Sequence, residues 1–325
     1  MMRIRQAIIE RTGGPEVIGW REVDLNDPGP GEVLLRHEAI GLNFIDTYHR
    51  SGLYPIELPG TLGLEAAGTV EAVGEGVSLS VGDRVATFGP NRAAYADAQV
   101  AAEASLFKVP DGIPLDVAAA ILLKGLTTEM LAERVAPLAP GNWALVHAAA
   151  GGVGQLLVQW LAARGVRVIA TAGSAEKRQR AVDLGAEVAL DTGADDLAHQ
   201  VREATGGAGV RASYDGVGKA TWDASLKATG RRGIVASFGN ASGPVSGVNL
   251  GSLASAGSLF VTRPTLFDYY REPDERAVGS GKLWSLVERG KLTVEIGQTY
   301  PLSEVAQAHR DLEGRKTVGS TILRP

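Results

Sequence analysis

Trp143-Ala-Leu-Val-His-Ala-Ala-Ala-Gly-Gly-Val-Gly154 carries a short apolar run straight into a cluster of small residues. Trp143–His147 has the composition of a strand, and the residues from Gly152 to Leu161 have that of a helix. The link between them matches a variant dinucleotide fingerprint, with Ala148 in the first glycine place, Gly151 in the second and Gly154 in the third. A residue without bulk lets the backbone approach a pyrophosphate, and a second small one lets helix and strand pack closely. Gly152, Val153 and Gly154 then open a helix whose free N–H groups and partial positive charge suit an anion. A tight turn with no ligand is the alternative. The surroundings decide between them.

Downstream, apolar runs at Val166–Ala170, Val188–Leu190, Ala212–Tyr214 and Gly233–Ala236 alternate with amphipathic stretches. Repeated strand–helix units imply a parallel sheet covered on both faces, in which a glycine loop after the first strand is a cofactor site. Upstream, runs such as Val33–Ala39 and Ala67–Val73 are bounded by dense turn signals, Pro28-Gly-Pro-Gly31 and Gly74-Glu-Gly76 among them. They predict an antiparallel, partly closed β-domain. After Pro264 come a loop, two helices (Leu283–Glu288 and Val305–Leu312) and a last strand, Thr321–Leu323. The expected division is a β-rich domain over 1–124, a dinucleotide-binding domain over 125–264, and a return to the first domain over 265–325.

An NAD site places Asp or Glu about 20 residues beyond the glycines to bind the ribose 2′-hydroxyl. Here that position reads Thr171-Ala-Gly-Ser174, with Lys177 and Arg178 in the next helical turn. A carboxylate would repel a 2′-phosphate, whereas Gly173, Ser174, Lys177 and Arg178 offer N–H, hydroxyl and cationic donors to it. The cofactor predicted is NADPH, more from the missing acid than from the cations, which also suit a solvated helix face.

Composition removes other classes. The chain has 325 residues, 45% hydrophobic and 21% charged, with a net charge of −5. It holds no block of basic residues of the kind nucleic acids attract. Its longest apolar stretches, such as Val117–Leu123, are far shorter than a membrane span, and the N-terminus leads directly into strand-like sequence. A soluble, cytoplasmic protein is expected. With no cysteine, disulfides, thiolate nucleophiles and Cys-based metal sites are excluded. The five histidines (37, 49, 147, 199 and 309) are scattered, and no metal is expected.

Larger motifs sharpen the reading. Pro28-Gly-Pro-Gly-Glu-Val33, Gly41-Leu-Asn-Phe-Ile-Asp46, Gly52-Leu-Tyr-Pro55, Leu62-Gly-Leu-Glu-Ala-Ala-Gly68 and Val81-Gly-Asp-Arg-Val85 in the first part join the glycine loop, Tyr214-Asp-Gly-Val-Gly218, Ser237-Phe-Gly-Asn240 and Val261-Thr-Arg-Pro264 in the second. Along essentially its whole length the chain resembles the quinone oxidoreductase (zeta-crystallin-like) branch of the medium-chain dehydrogenases/reductases. The resemblance implies a GroES-like β-rich catalytic domain beside a Rossmann doubly wound parallel-sheet domain. Zinc-dependent alcohol dehydrogenases of this superfamily present Cys in the segment corresponding to Gly41–Asp46 and Gly-His-Glu where this chain has Gly63-Leu-Glu65. Asn43 and Leu64 stand in those places, so a zinc-independent enzyme is expected. Hydride transfer from NADPH to an electrophilic acceptor needs no metal.

The same resemblance implies that Asn43 and Tyr54 lie near the nicotinamide at the cleft between domains, with Tyr54 donating to the acceptor oxygen. Asp46, Thr128, Phe238, Gly239, Asn240 and Arg263 are further implied cofactor contacts. Simpler roles stand beside these: a packed aromatic for Tyr54, turn-stabilising polar groups for Asn43 and Asp46, core for Phe238, and a salt bridge for Arg263. Relatives often carry Tyr at the end of the third strand of the series, close to the 2′-phosphate. This chain has Leu190-Asp-Thr192, so Thr192 supplies a shorter hydroxyl and Asp191 a negative charge.

The leading expectation is reduction of quinones by NADPH. Reduction of an activated double bond in an alkenal or enone is the second. A non-catalytic NADPH-binding protein, like some lens and RNA-binding relatives, is the third. Ser258-Leu-Phe-Val-Thr262 reads as an edge strand, which relatives pair across a two-fold axis, so a homodimer is expected.

Overall fold

A computed structural model describes residues 2–89 and 91–325. The chain divides into two compact units. The first comprises Met1–Leu123, Ser280–Glu288 and Val294–Pro325, and the second comprises Lys124–Gly279 and Arg289–Thr293. The stretch 265–279, expected with the first domain, therefore clusters with the second. Of the four boundaries, those after Leu123 and Gly279 fall inside helices, Leu115–Glu129 and Pro273–Glu288, and are not marked by a loop.

The second unit is built on six parallel strands in the order Val188–Asp191, Arg167–Ala172, Trp143–Val146, Val210–Asp215, Thr229–Ser237, Phe260–Thr262. Counted along the chain this is 3-2-1-4-5-6, the doubly wound Rossmann order. Strand order reverses between Trp143–Val146 and Val210–Asp215, and such folds take ligands outside the carboxyl ends of the strands at that point. Leu145, Ile169, Leu197, Val201, Val210 and Ala228 form a fully apolar cluster beneath one face. The central strands are covered on both faces, which explains why Trp143–Val146 and Arg167–Ala172 read as near-continuous apolar runs and not as alternation.

The first unit holds a seven-stranded, mostly antiparallel sheet. Its main path runs Ile296–Pro301, Ser320–Arg324, Glu32–Leu42, Glu65–Val73, Arg84–Phe88, Leu106–Lys108, and Ala98–Ala102 pairs with Glu32–Leu42. A three-stranded sheet of Ile18–Leu25, Met2–Ile9 and Gly60–Thr61 accompanies it. The core joins Ile9, Ile40, Leu62 and Tyr95 to Val305, Ala308 and Leu323, so the last thirty residues are part of it and not an appendage. Among the described residues no helix is long and apolar enough to cross a membrane.

Candidate functional site

In the second unit the glycine loop follows Val146 directly. His147 N–H donates to the Tyr214 carbonyl and Ala149 N–H to that of Thr171, which anchors the loop on both neighbouring strands. Ala148 has φ +50°, in the left-handed region. That conformation costs a non-glycine residue about 1–2 kcal/mol, so glycine's usual use at this place is conformational and not only spatial. Gly154 is needed for space. A Cβ there would lie 2.2 Å from the Ala148 carbonyl oxygen and 2.8 Å from the Ala149 Cα. At Gly151 it would meet only the Ala148 oxygen, at 3.1 Å.

Gly151 caps the helix Gly152–Ala163 in an extended conformation and brings no side chain to accept from its first turn. The leading N–H groups, those of Gly152, Val153 and Gly154, have no intrahelical acceptor by geometry. This is a cradle for a pyrophosphate.

Parallel pairing of Ala172 with Asp191 brings the ends of the second and third strands together. Ser174 caps the helix Ala175–Asp183 by accepting from Lys177 N–H at 3.3 Å. Thr192 N–H donates to the Ala172 carbonyl. Gly173, Ser174, Lys177, Arg178 and Thr192 thus share one edge. Arg178 is paired there: its guanidinium donates to Asp191 at 2.8 Å and reaches the Ala172 carbonyl at 3.4 Å. The charge of Asp191 is thereby balanced.

The loops closing strands four and five interlock. Asp215, fully buried, accepts from the N–H groups of Val217 and Gly218 and from the hydroxyls of Thr221 and Ser225. Ser225 spends its proton on Asp215, so its oxygen faces His147 Nε2–H at 3.1 Å, and Thr171 Oγ1 donates to His147 Nδ1 at 3.0 Å. Burial lowers the His147 pKa against the opposing pull of Asp215. Sequence reasoning missed this network, although Asp followed by Gly at a strand end is an Asx-turn signal.

Phe238 N–H donates to the Asp215 carbonyl, and Phe238 is half-buried with its ring beside Gly216. A Cβ on Gly239 would lie 2.2 Å from the Gly216 carbonyl, so close backbone approach is a fact of this loop, which continues into the half-buried Asn240. Arg263 donates to the carbonyls of Ser237 and Gly239 at 3.0 and 2.9 Å, clamping the loop's course. Thr128 is fully buried and its hydroxyl donates to the Lys124 carbonyl one helical turn back.

In the first unit Asn43 caps the helix Phe44–Ser51, and Asp46 reaches back to accept from the Asn43 N–H at 2.9 Å. The turn-stabilising role considered for both residues is real. The Asn43 amide nitrogen donates to Glu65 Oε2 at 2.9 Å and reaches the Gly41 carbonyl at 3.3 Å. Glu65, fully buried, accepts through Oε1 from Leu123 N–H at 2.7 Å. Gly41 makes room for this: a Cβ would sit 2.2 Å from Glu65 Oε2. Tyr54 is half-buried and lies edge-on to Tyr48, with ring centroids 5.2 Å apart, and against His49.

Zinc does not fit these residues. Leu64 offers a buried hydrocarbon, Asn43 presents an N–H to Glu65, and both Glu65 oxygens accept hydrogen bonds. Among the described residues no group of three or more His, Cys, Asp or Glu is placed to hold a metal.

Residues 29–111 match the family model for the alcohol dehydrogenase GroES-like domain, and residues 152–271 match that for zinc-binding dehydrogenases. With the Rossmann sheet and its cofactor cradle, these define a medium-chain dehydrogenase/reductase. The chain is 49% identical over 315 residues to a quinone oxidoreductase of Pseudomonas aeruginosa, covering 96% of this chain and 97% of that one. The structure of Escherichia coli quinone oxidoreductase complexed with NADPH is similar with a TM-score of 0.97 at 43% identity, over 99% of this chain and 100% of that one. A 2-haloacrylate reductase from a Burkholderia species is 41% identical over 99% of each chain. The chain belongs to the quinone oxidoreductase family of this class.

Proposed function

We propose that this chain is a metal-independent NADPH:quinone reductase. The observation that carries the reading is the second unit's carboxyl edge, where an uncapped helix N-terminus at Gly151–Gly154 lies one strand from a ribose site without an acidic residue at Gly173–Ser174. NADPH supplies a hydride. The protein's part is to bind and orient. Gly152, Val153 and Gly154 hold the pyrophosphate through N–H groups. Gly173, Ser174, Lys177 and Thr192 receive the 2′-phosphate, with Arg178 shared between it and Asp191. Phe238, Gly239 and Asn240, kept in course by Arg263, flank the nicotinamide side, and Thr128 belongs to the same end.

The first unit is the catalytic one in this reading. Asn43 presents an amide fixed by Glu65, and Tyr54 donates to the acceptor oxygen, where a developing negative charge gains from a hydrogen bond. Both E. coli and P. aeruginosa relatives carry the quinone oxidoreductase name, which supports the acceptor class.

Reduction of an activated double bond is the second reading, favoured by the likeness to 2-haloacrylate reductase. Both acceptors are conjugated electrophiles. The test is NADPH oxidation followed against quinones, alkenals, enones and 2-haloacrylates. Turnover highest with quinones supports the first reading, and turnover highest with alkenes supports the second. Tight NADPH binding without turnover of any of them leaves a binding protein.

The strand Phe260–Thr262 ends its sheet, with Phe260 63% exposed. An apolar edge of this kind invites pairing, and we assign it to a homodimer in the cytoplasm. Light scattering at the mass of one chain would overturn the dimer.

A further inference from the structure

Four side chains form an unbroken buried chain inside the first unit, running from Arg50 through His309 and Tyr95 back to Asp46, one turn earlier on the helix that carries Arg50. Arg50 Nη1 lies 3.1 Å from His309 Nδ1. His309 Nε2 lies 3.0 Å from the Tyr95 hydroxyl. That hydroxyl lies 2.9 Å from Asp46 Oδ2, which also accepts from the Asn43 N–H at 2.9 Å. Asp46, Tyr95 and His309 have no solvent exposure, and Arg50 is 2% exposed.

The donor inventory fixes every proton. A guanidinium only donates, so His309 Nδ1 is an acceptor and the ring proton sits on Nε2. That N–H donates to the Tyr95 oxygen, and the Tyr95 O–H is then left for Asp46. All bonds point one way, from Arg50 to Asp46, and such a run polarises each member in the same sense. Burial, reinforced by the Arg50 charge, holds the His309 pKa near 3, so the ring stays neutral and the direction does not reverse at working pH. At the far end Arg50 is gripped by both oxygens of Glu313 at 2.7 and 2.9 Å and donates through Nε to the Gly13 carbonyl.

We propose that His309 and Tyr95 are positioning residues for Asn43: the Arg50–His309–Tyr95–Asp46 chain locks the carboxylate that holds the Asn43 main chain, so the amide of Asn43 is aimed from the C-terminal helix. This rests on the assignment of Asn43 to the nicotinamide end. Removing the Tyr95 hydroxyl takes one donor from Asp46 Oδ2, which loosens the carboxylate's hold on the Asn43 N–H, and takes away the acceptor of His309 Nε2–H. A misplacement of about 1 Å in such a group costs up to a hundredfold in rate.

The test uses Tyr95→Phe, His309→Ala and His309→Gln, since glutamine can accept from Arg50 and donate to Tyr95. Expected are kcat losses of about ten- to a hundredfold for Y95F and H309A with KM for NADPH nearly unchanged, and recovery of most of that loss in H309Q. In an Asn43→Ala background, Y95F should cost nothing further, because both act through one group. Backbone hydrogen exchange at Asn43 gives a readout independent of catalysis and should quicken in Y95F and H309A. Parental exchange at Asn43 in both variants overturns the proposal, as does a Y95F loss that multiplies with that of N43A. If N43A alone keeps the parental kcat, the assignment of Asn43 fails, and the exchange measurement still decides the relay.

Discussion

Arg178 and Asp191 meet at 2.8 Å where the second and third strands of the Rossmann sheet end side by side. The pair is partly open to solvent, with Arg178 27% and Asp191 48% exposed, so it is worth no more than about 1 kcal/mol. In the proposed site the same guanidinium faces a 2′-phosphate. Asp191→Asn should release it and lower KM for NADPH by up to about fivefold while leaving KM for NADH alone. Steady-state kinetics with both cofactors check this, and a parallel change in the two would remove Arg178 from the phosphate site.

Lys177 stands on the same edge, its N–H donating to Ser174. Lys177→Ala should raise KM for NADPH at least several-fold more than KM for NADH, since a charge-assisted hydrogen bond contributes about 1.5–3 kcal/mol. Equal effects would take the ammonium out of cofactor choice.

The two outer glycines of the loop should fail differently. Gly154→Ala places a methyl 2.2 Å from a backbone carbonyl that cannot swing away. It should cost about 1–3 kcal/mol of stability, read by urea unfolding. Gly151→Ala meets that carbonyl at 3.1 Å and should be nearly neutral for stability while weakening NADPH, measured by calorimetric titration. Ala148→Val forces a β-branched residue into the left-handed region and should destabilise by more than about 1 kcal/mol.

Acid should unfold this protein through its buried histidines. Burial lowers His309 from 6.5 to about 3 and His37 from 6.5 to about 4. The unfolded chain takes up these protons as pH falls through 6.5, and the folded chain does not. Stability is therefore complete above that pH and declines as it drops toward 4, by about 1.4 kcal/mol per unit for each histidine. In H309Q the slope of unfolding free energy between pH 6 and 4.5 should be shallower by about that amount. An unchanged slope would show that His309 protonates as readily folded as unfolded.

What could be read from the sequence was local. The strand–glycine–helix transition and the missing acid after Ala172 are contiguous, and the alternating units around them gave the sheet its class. Distant partners left no such trace. Tyr95 and His309, or Arg50 and Glu313, sit in unrelated elements, and nothing in either neighbourhood names the other. Ala148 could be recognised as standing in a glycine place, but only its φ of +50° shows that the place demands a left-handed backbone. The division at Gly279 was invisible because a helix runs through it.

The pairing of Thr321, Ile322 and Leu323 with Leu42, Gly41 and Ile40 has a consequence for biosynthesis. At about 5–20 residues per second, the strand Glu32–Leu42 waits tens of seconds on the ribosome for its partner. The second unit, Arg289–Thr293 included, is encoded entirely within that interval. It is free to fold while the nascent first unit still offers an open strand edge and lacks His309. That edge, at Ile40–Leu42, closes only when the last strand of the chain arrives.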